Sequence, residues 1–546
     1  MRGTIVAGAL GNCVHVAGVA GLLGIAQQLG YKTVFLGAAV SVDDFVEAVR
    51  EHDPDIVGVS YRLTPEVGKR LVSDLKSALE RSELLDRRFV FGGTPPVCEA
   101  VKELDWFEYY FTGLENTDAV WTYLKGEEAG KSCTECTGTL LERLEHKHPY
   151  PLLRHHFGLP DLDATINGVR KIAESGVLDI ISIAPDQNAQ ESFFRPEEMD
   201  PTMDGAGGVP VRRREDLTAM YSAAQCGNYP LLRVYSGTRD LISWAKMSAE
   251  TISNAWAAIP LCWYSVLDGR SNRTPEGAIR ENQECMRWHA ERGIPVEVNE
   301  PHHWGLRDAH DVISVVMAYL AAYNAKQMGV SHYIAQYMFN TPPGLSPVMD
   351  LAKVQAQIEM VESLHGPEFY SFRQVRAGLL HLSPQMNKAK GQLAASTMLS
   401  LAVAPHIIHV VGYCEGDHAA SADDVIESCE IVHGVLKNCQ TGMQALIGSE
   451  EVGRRRKYLM DEAEVLLGAI RDFGRDEEDA FSDPAVITGA IKQGLLDAPH
   501  LKGNPYASGT LETRVIGGAL EAVDHDTKEP ICESERLQSL LSCIVG

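Results

Sequence analysis

Residues 3–18 read Gly-Thr-Ile-Val-Ala-Gly-Ala-Leu-Gly-Asn-Cys-Val-His-Val-Ala-Gly. The apolar run ending at Leu10 predicts a buried strand, Gly11-Asn12 breaks it, and the small and apolar residues that follow predict a helix from about Val16 to Gln28. The same unit recurs downstream. KTVFLGA (32–38) precedes a helical pattern from Val42 to Glu51, DIVGVSY (55–61) precedes one from Pro65 to Glu80, and RFVFGG (88–93) follows. Short β-rich runs alternating with amphipathic helices predict a parallel sheet with helices on both faces. Ligands of such sheets sit beyond the carboxyl ends of the strands.

The whole chain has 546 residues, enough for two to four domains. Its 45% hydrophobic and 23% charged residues are ordinary for a globular protein. With 49 Lys and Arg against 74 Asp and Glu the formal charge is −25, which opposes nucleic acid and anionic membranes. No uninterrupted apolar stretch reaches the length of about 18 residues that a membrane span needs. The N-terminus runs into strand, turn and helix without a signal-peptide cleavage site, so a cytoplasmic protein is expected. Twelve cysteines are scattered, and the close pair Cys133-x-x-Cys136 lies in a polar segment. Without a second pair, free thiols are favoured there over zinc or redox chemistry.

The boundaries read from the sequence are 1–128 for the first domain, 129–160 for a linker, 161–440 for a second domain and 441–546 for a C-terminal extension. The linker includes HKHPYPLLRHHFGLPD (146–161), whose His146, His148, His155 and His156 are expected in a solvated loop rather than a metal site. From Leu178 onward LDIISIA, PLLRVYS, IPLCWYS, IPVEVN, SHYIAQYM and HIIHVVG are strand-like, each with a helical pattern after it. About 270 residues of such repetition is the size of a (β/α)8 barrel. A charged helix near Val452 to Arg471 and the irregular GNPYASGTLETRVIGG (503–518) are expected to pack on that barrel.

Three unusual segments coincide with predicted strand ends: His15-x-x-Gly18, Ser60 to Thr64, and Gly92-Gly93. An isolated H-x-x-G means little, and glycines kept for helix–sheet packing are the plain alternative. The joint pattern resembles the cobalamin-binding domain shared by the cobalamin-dependent mutases and methionine synthase. That resemblance implies a flavodoxin-like (Rossmann-type) domain over about the first 130 residues. It also implies His15 as the lower ligand to cobalt, in place of the cofactor's dimethylbenzimidazole, whose tail enters a slot beside the sheet. Imidazole is a good neutral ligand for a transition metal. Gly18, Gly21 and Gly24 would clear the slot, Ser60 and Thr64 would bond the tail, and Gly92-Gly93 would allow close approach. Cys13, Val16 and Arg62 complete the expected cofactor-binding set. The family pattern is D-x-H-x-x-G, and Cys13 stands at the aspartate position. Such partners typically contribute about 10–100-fold in metal affinity or activity, and a thiol is a weak acceptor.

The second half resembles the TIM barrel of the large subunits of D-lysine 5,6-aminomutase and glutamate mutase. The resemblance rests on DGRSNRT (268–274), SHYIAQYM, NKAKGQLAASTML (387–399), HIIHVVG with the helix near Asp423 to Leu436, and QGLLDAP with NPYASG near the end. It implies an adenosylcobalamin-dependent radical isomerase, expected as a homodimer acting on a small polar substrate that bears a carboxylate. Pyridoxal phosphate is disfavoured. The insertion that carries its Schiff-base lysine is missing between Gly18 and Gly37, where Lys32 stands alone, and Ala184 and Leu267 lie near the places of its arginines. The first carboxylate-gripping arginine of glutamate mutase is replaced near Asp186.

Asp186, Arg239, Arg270, Arg273, Glu300 and His302 are the candidate catalytic residues, since arginine pairs with carboxylate or phosphate. Asn188, Arg213, Arg214, Tyr235, Asn299, His303, Glu415 and His418 are further substrate contacts by position. Each is as readily a member of a structural ion pair. His302-His303 as a metal pair is disfavoured because neighbours on a strand face opposite ways. Lys388 and Lys390 are ambiguous, with Lys390 able to neutralise a nearby carboxylate. A corrinoid methyltransferase and a non-catalytic cobalamin carrier or sensor are the alternative functions.

Overall fold

The computed structural model describes residues 3–113, 120, 123–124, 138–235, 237–439 and 450–545. Cys133 and Cys136 lie outside the described residues. Two compact units form, Met1–Ser132 with Leu436–Gly442, and Cys133–Val435 with Met443–Gly546.

The first unit is a five-stranded parallel sheet in the order β2-β1-β3-β4-β5. Its strands are β1 (Thr4–Leu10), β2 (Lys32–Val40), β3 (Ile56–Ser60), β4 (Arg88–Gly92) and β5 (Tyr109–Phe111). They alternate with α1 (Ala17–Gln28), α2 (Val42–His52), α3 (Pro65–Arg81) and α4 (Pro95–Lys102). Chain order reverses direction at β1, so the loops after β1 and β3 part there and leave a crevice at the switch point. Phe45, Val49, Val72, Leu75, Val97 and Phe91 form the core between the sheet and α2–α4. A Cβ on Gly58 of β3 would meet Ala7 Cβ at 2.8 Å and Leu22 Cδ2 at 3.2 Å, so glycine is what lets α1 close on the sheet.

The second unit is an eight-stranded parallel sheet. Its strands, in chain order and in order around the sheet, are β6 (Leu152–Phe157), β7 (Ile180–Ile183), β8 (Leu231–Val234), β9 (Ala257–Ile259), β10 (Val296–Val298), β11 (His332–Phe339), β12 (Tyr370–Ala377) and β13 (Ile407–His409). β13 pairs back to β6, and a single bridge from Tyr235 to Ala258 joins β8 to β9, which closes a (β/α)8 barrel.

Four sequence readings change. The first barrel strand, β6, lies inside the expected linker, and His155 is 1% exposed rather than solvated. Alternation misleads there because a barrel strand is covered on both faces. Arg154 turns inward to a polar interior, where it reaches Ser182 and Gln336. IPLCWYS is mostly loop, since β9 ends at Ile259. His302 and His303 sit on the short helix Pro301–Gly305, not on a strand, and their rings lie 4.6 Å apart. The C-terminal segment is not wholly irregular. Thr513–Ile516 and Ala519–Ala522 pair as an antiparallel hairpin across Gly517-Gly518, both at positive φ as a tight hairpin turn requires.

Gly93 and Gly92 separate two kinds of glycine. A Cβ on Gly93 would lie 2.9 Å from the Tyr61 carbonyl oxygen and from the Phe91 ring, whereas on Gly92 the nearest atom is Ser60 Oγ at 3.8 Å. Gly93→Ala is therefore expected to destabilise the first unit by about 1–3 kcal/mol, the usual cost of overpacking. Gly92→Ala should leave its urea midpoint within error; equal midpoints for both variants would refute this packing role.

Candidate functional site

In the first unit the loop after β1 is shaped by Gly11, at φ +65°, where a Cβ would strike Leu71 Cδ1 at 2.5 Å. Gly11 N–H donates to Val40 O at 2.7 Å and Ala39 N–H to Cys13 O at 2.9 Å, fixing the loop to the end of β2. Tyr61 Oη donates to Asn12 Oδ1 at 3.2 Å, fixing it to the loop after β3. Cys13 is buried while Val14 and His15 are exposed. Cys13 Sγ lies 3.9 Å from His15 Nδ1, in the place where the resemblance puts a carboxylate. At that distance the thiol is a weak partner for the ring.

Beside His15 the structure leaves room. A Cβ on Gly18 or Gly21 would meet nothing within 4 Å, and Ala17 and Ala20 on the same helix are exposed. Phe35 is in register with Ala7 on β1, a residue that Gly58 and Leu22 crowd from the α1 side, yet Phe35 remains 52% exposed. Packing glycines look different, as Gly58 and Gly93 show. The strip along α1 is thus cleared for something outside the chain. Around it Val14 and Leu63 are exposed apolar groups, Ser60 is nearly buried, and Arg62 is exposed. Thr64 and Thr94 precede α3 and α4, yet neither makes a side-chain cap hydrogen bond. These residues fit a large, partly apolar cofactor with a polar tail and a metal that accepts an imidazole.

In the second unit the barrel interior is polar and short of anions. Arg154 and Arg233 are each 1% exposed, and Glu297, 3.7 Å from Arg233, also accepts from Trp256 Nε1 at 2.7 Å. Arg154 reaches Ser182 Oγ at 2.9 Å, His409 Nδ1 at 2.6 Å and His156 Nε2 at 3.4 Å. A guanidinium can only donate, so those two ring nitrogens carry lone pairs. Tyr235 Oη, 2.7 Å from His156 Nε2, then donates to it as well. The proton of neutral His156 is left on buried Nδ1, next to the Ser182 backbone but without a well-formed hydrogen bond. Burial, and after it the Arg376 charge, hold His156, His302 and His409 well below the ordinary imidazole pKa. Burial and the neighbouring His302 do the same to His303.

Arg376 ends β12 at the carboxyl mouth of the barrel, where active sites of this fold lie. Its Nε donates to Ala377 O at 3.3 Å, and no carboxylate lies within 4 Å of it among the described residues. Arg270, exposed, stacks 4.6 Å over the Tyr264 ring and stands 3.7 Å from Asp268.

The other candidates are engaged inside the protein. Asp186 is fully buried, accepts from Ala189 N and Gly205 N, and holds both ends of the Arg212 guanidinium. Arg239 pairs with Glu191 at 2.7 Å and with Glu198. Arg273 donates to Glu281 at 2.7 Å and to Tyr264 O at 2.8 Å. Glu300 accepts from Leu261 N, Cys262 N and Trp304 Nε1. His302 Nδ1 meets Gln336 Nε2 at 3.1 Å. Arg213 and Arg214 pair with Asp216 and Glu250, and Asn188 bonds Asp200 O and Asp204. Lys390 pairs with Glu427, the neutralising role expected of it. The sequence reading missed His156 and Arg376. Polar residues at alternate positions near the end of LLRHHF and YSFRQVRA were the available sign.

Residues 3–111 match the family model described as B12 binding domain. Among solved structures, a novel cobalamin-binding protein from Desulfitobacterium hafniense DCB-2 is 25% identical, covering 23% of this chain and 58% of that one, with a TM-score of 0.20. The methanol:cobalamin methyltransferase complex MtaBC from Methanosarcina barkeri is 18% identical over 23% of this chain and 47% of that one, TM-score 0.20. The cobalamin-dependent S-adenosylmethionine radical enzyme OxsB is 9% identical over 79% of this chain and 56% of that one, TM-score 0.19. The chain thus spans 47–58% of the length of the chains it matches. No helix among the described residues is long and apolar enough to cross a membrane. The first unit is a cobalamin-binding domain of the B12 binding family, in a chain whose second unit is a (β/α)8 barrel.

Proposed function

We propose that this chain is an adenosylcobalamin-dependent radical isomerase acting on a small substrate that bears a carboxylate, without pyridoxal phosphate. The observation that carries the substrate class is Arg376, a cation at the barrel mouth that makes no direct ion pair among the described residues, with Glu415 and Glu297 acting on it only from farther off. In this reading His15 would hold the cobalt through its imidazole, with Cys13 beside its Nδ1. Gly18 and Gly21 leave the slot for the displaced tail, Ser60 and Thr64 offer it hydroxyls, and Gly92 leaves the rim open. When bound, the cofactor supplies a carbon-centred radical by homolysis of its cobalt–carbon bond.

The barrel residues position and shield. Arg376 grips the substrate carboxylate by paired hydrogen bonds, and Arg270 is the second cation within the same mouth. His156 keeps its proton on Nδ1, held in that tautomer by Arg154 and Tyr235, so that its Nε2 stays an acceptor inside the barrel. Neutral imidazoles suit a rearrangement that needs orientation and exclusion of water more than strong acids or bases.

Two measurements test this reading. Electron paramagnetic resonance of the cob(II)alamin form with ¹⁵N-labelled protein is expected to show hyperfine coupling to a protein nitrogen, lost in His15→Ala. Coupling to the cofactor's own benzimidazole nitrogen in the unmutated protein would refute His15 as ligand. For the barrel, amino acids, hydroxy acids and thioesters are screened for loss of the adenosylcobalamin spectrum. With a substrate so found, Arg376→Met is expected to lower kcat/KM about 100-fold, the scale of a lost charge-assisted contact of about 3 kcal/mol. The same variant should melt at or above the temperature of the parent, because it removes a cation without a partner. Methylation of the reduced cobalt by a methyl donor, with no adenosyl requirement, would replace the isomerase by a methyltransferase.

A further inference from the structure

After β13 the chain makes a tight turn at the barrel mouth, where Tyr413–Gly416 is helical and His418 N–H donates to Cys414 O at 2.9 Å. That spacing puts the Cys414 and His418 side chains on one side of the turn. Asp424, in the first turn of the helix Ala422–Cys439, comes to the same place. One donor atom from each, the Cys414 thiol, a His418 ring nitrogen and an Asp424 carboxylate oxygen, all lie within 4.8 Å of one another.

The geometry points to a metal site: we propose that Cys414, His418 and Asp424 bind one divalent transition-metal ion, zinc by preference. A fourth position would be left for water or for an oxygen or sulfur donor of a small molecule. Thiolate, imidazole and carboxylate are the three zinc ligand types. Bonds of about 2.0–2.3 Å in a tetrahedron put ligand atoms about 3.4–3.6 Å apart, and His418 Nε2 is 3.6 Å from Asp424 Oδ2.

The surroundings agree with a cation. Asp417 Oδ2 lies 2.9 Å from His418 Nδ1, the carboxylate–imidazole contact that fixes Nε2 as the ligand atom. Glu415, Asp417, Asp424 and Glu427 stand around the turn; Lys390 pairs with Glu427, and Arg376 acts on Glu415. A second observation is independent of the cluster. His155 is 1% exposed and its Nδ1 bonds His156 O, so Nε2 carries a buried lone pair that no hydrogen donor meets among the described residues, with Glu415 Oε1 3.7 Å away. A Cβ on Gly412 would lie 3.1 Å from that nitrogen, 3.4 Å from Glu415 Oε1 and 3.5 Å from Cys414 Sγ, so imidazole, carboxylate and thiol all close on Gly412. A set of three protein ligands matches the ligand count of catalytic zinc sites rather than the four of closed structural ones. The inference stands apart from the isomerase reading, because neither His15 nor Arg376 enters it.

The test uses the full chain free of cobalamin, with Cys133 and Cys136 changed to Ser so that they supply no thiolate. Zinc is titrated against a chromophoric chelator, and Co²⁺ is added separately to reveal a thiolate-to-cobalt charge-transfer band. One equivalent of zinc is expected. Cys414→Ser and His418→Ala should each weaken it at least about 100-fold, beyond the range of about 10–100-fold for a supporting partner, in which Asp417→Asn should fall. Cys414→Ser should also abolish the cobalt band. His418 is half exposed, so its variant keeps the test valid if Cys414→Ser melts early. Absence of stoichiometric zinc, or affinity unchanged by His418→Ala, would overturn the site and leave His418 as the ion-pair partner of Asp417 and Asp424.

Discussion

Two guanidinium groups buried in one barrel set the terms for the rest of the second unit. Arg154 and Arg233 share Ser182 Oγ, and Glu297 is the anion nearest Arg233. Charges this deep are tolerable only when hydrogen bonds replace their water. Gln336, Gln374, His409 and Tyr235 make up a network linked to them, with Gln374 donating to Gln336 at 3.0 Å. Burial first, and the Arg376 charge after it, disfavour protonation of the histidines, while the Arg154 guanidinium dictates which ring nitrogen of His156 and His409 keeps its hydrogen. With Arg376 added at the rim, the mouth is a place where an anion gains more than a neutral molecule.

The first unit is governed by the opposite economy, the removal of side chains. Gly58 and Gly93 are small because protein atoms press on them, and Gly18 and Gly21 are small although nothing does. The distinction separates a packing explanation from a ligand explanation without any bound molecule. It also gives Cys13 a limited role. The thiol keeps the position beside Nδ1, and at 3.9 Å it is a weaker contact than a carboxylate would make there.

The parallel sheet of the first unit was legible because each of its strands is a short apolar run bounded by turn residues, and its helices are amphipathic at Val42, Pro65 and beyond. His15, Gly18 and the ends at Ser60 and Gly92 were legible through their places in that alternation. The barrel was legible as a size and a repeat but not strand by strand. β9, β10 and β13 have three residues each, and β6 is half polar. An inward-facing arginine or histidine in such a strand looks like loop sequence until the other strands supply its partners from far along the chain. Arg154 and His409 are 255 residues apart. The same distance hid the engagement of Asp186, Arg239, Arg273 and Glu300, whose partners cannot be paired by inspection.

The barrel wall is not equally strong all round. Eight residue pairs join β11 to β12, while a single bridge at Tyr235 joins β8 to β9. The residue that makes this thin seam also hydrogen-bonds His156 at the mouth. A molecule that displaces Tyr235 from His156 therefore acts on the barrel's own closure. Occupancy and the integrity of the cylinder become one mechanical variable, with the give concentrated in a single gap between staves.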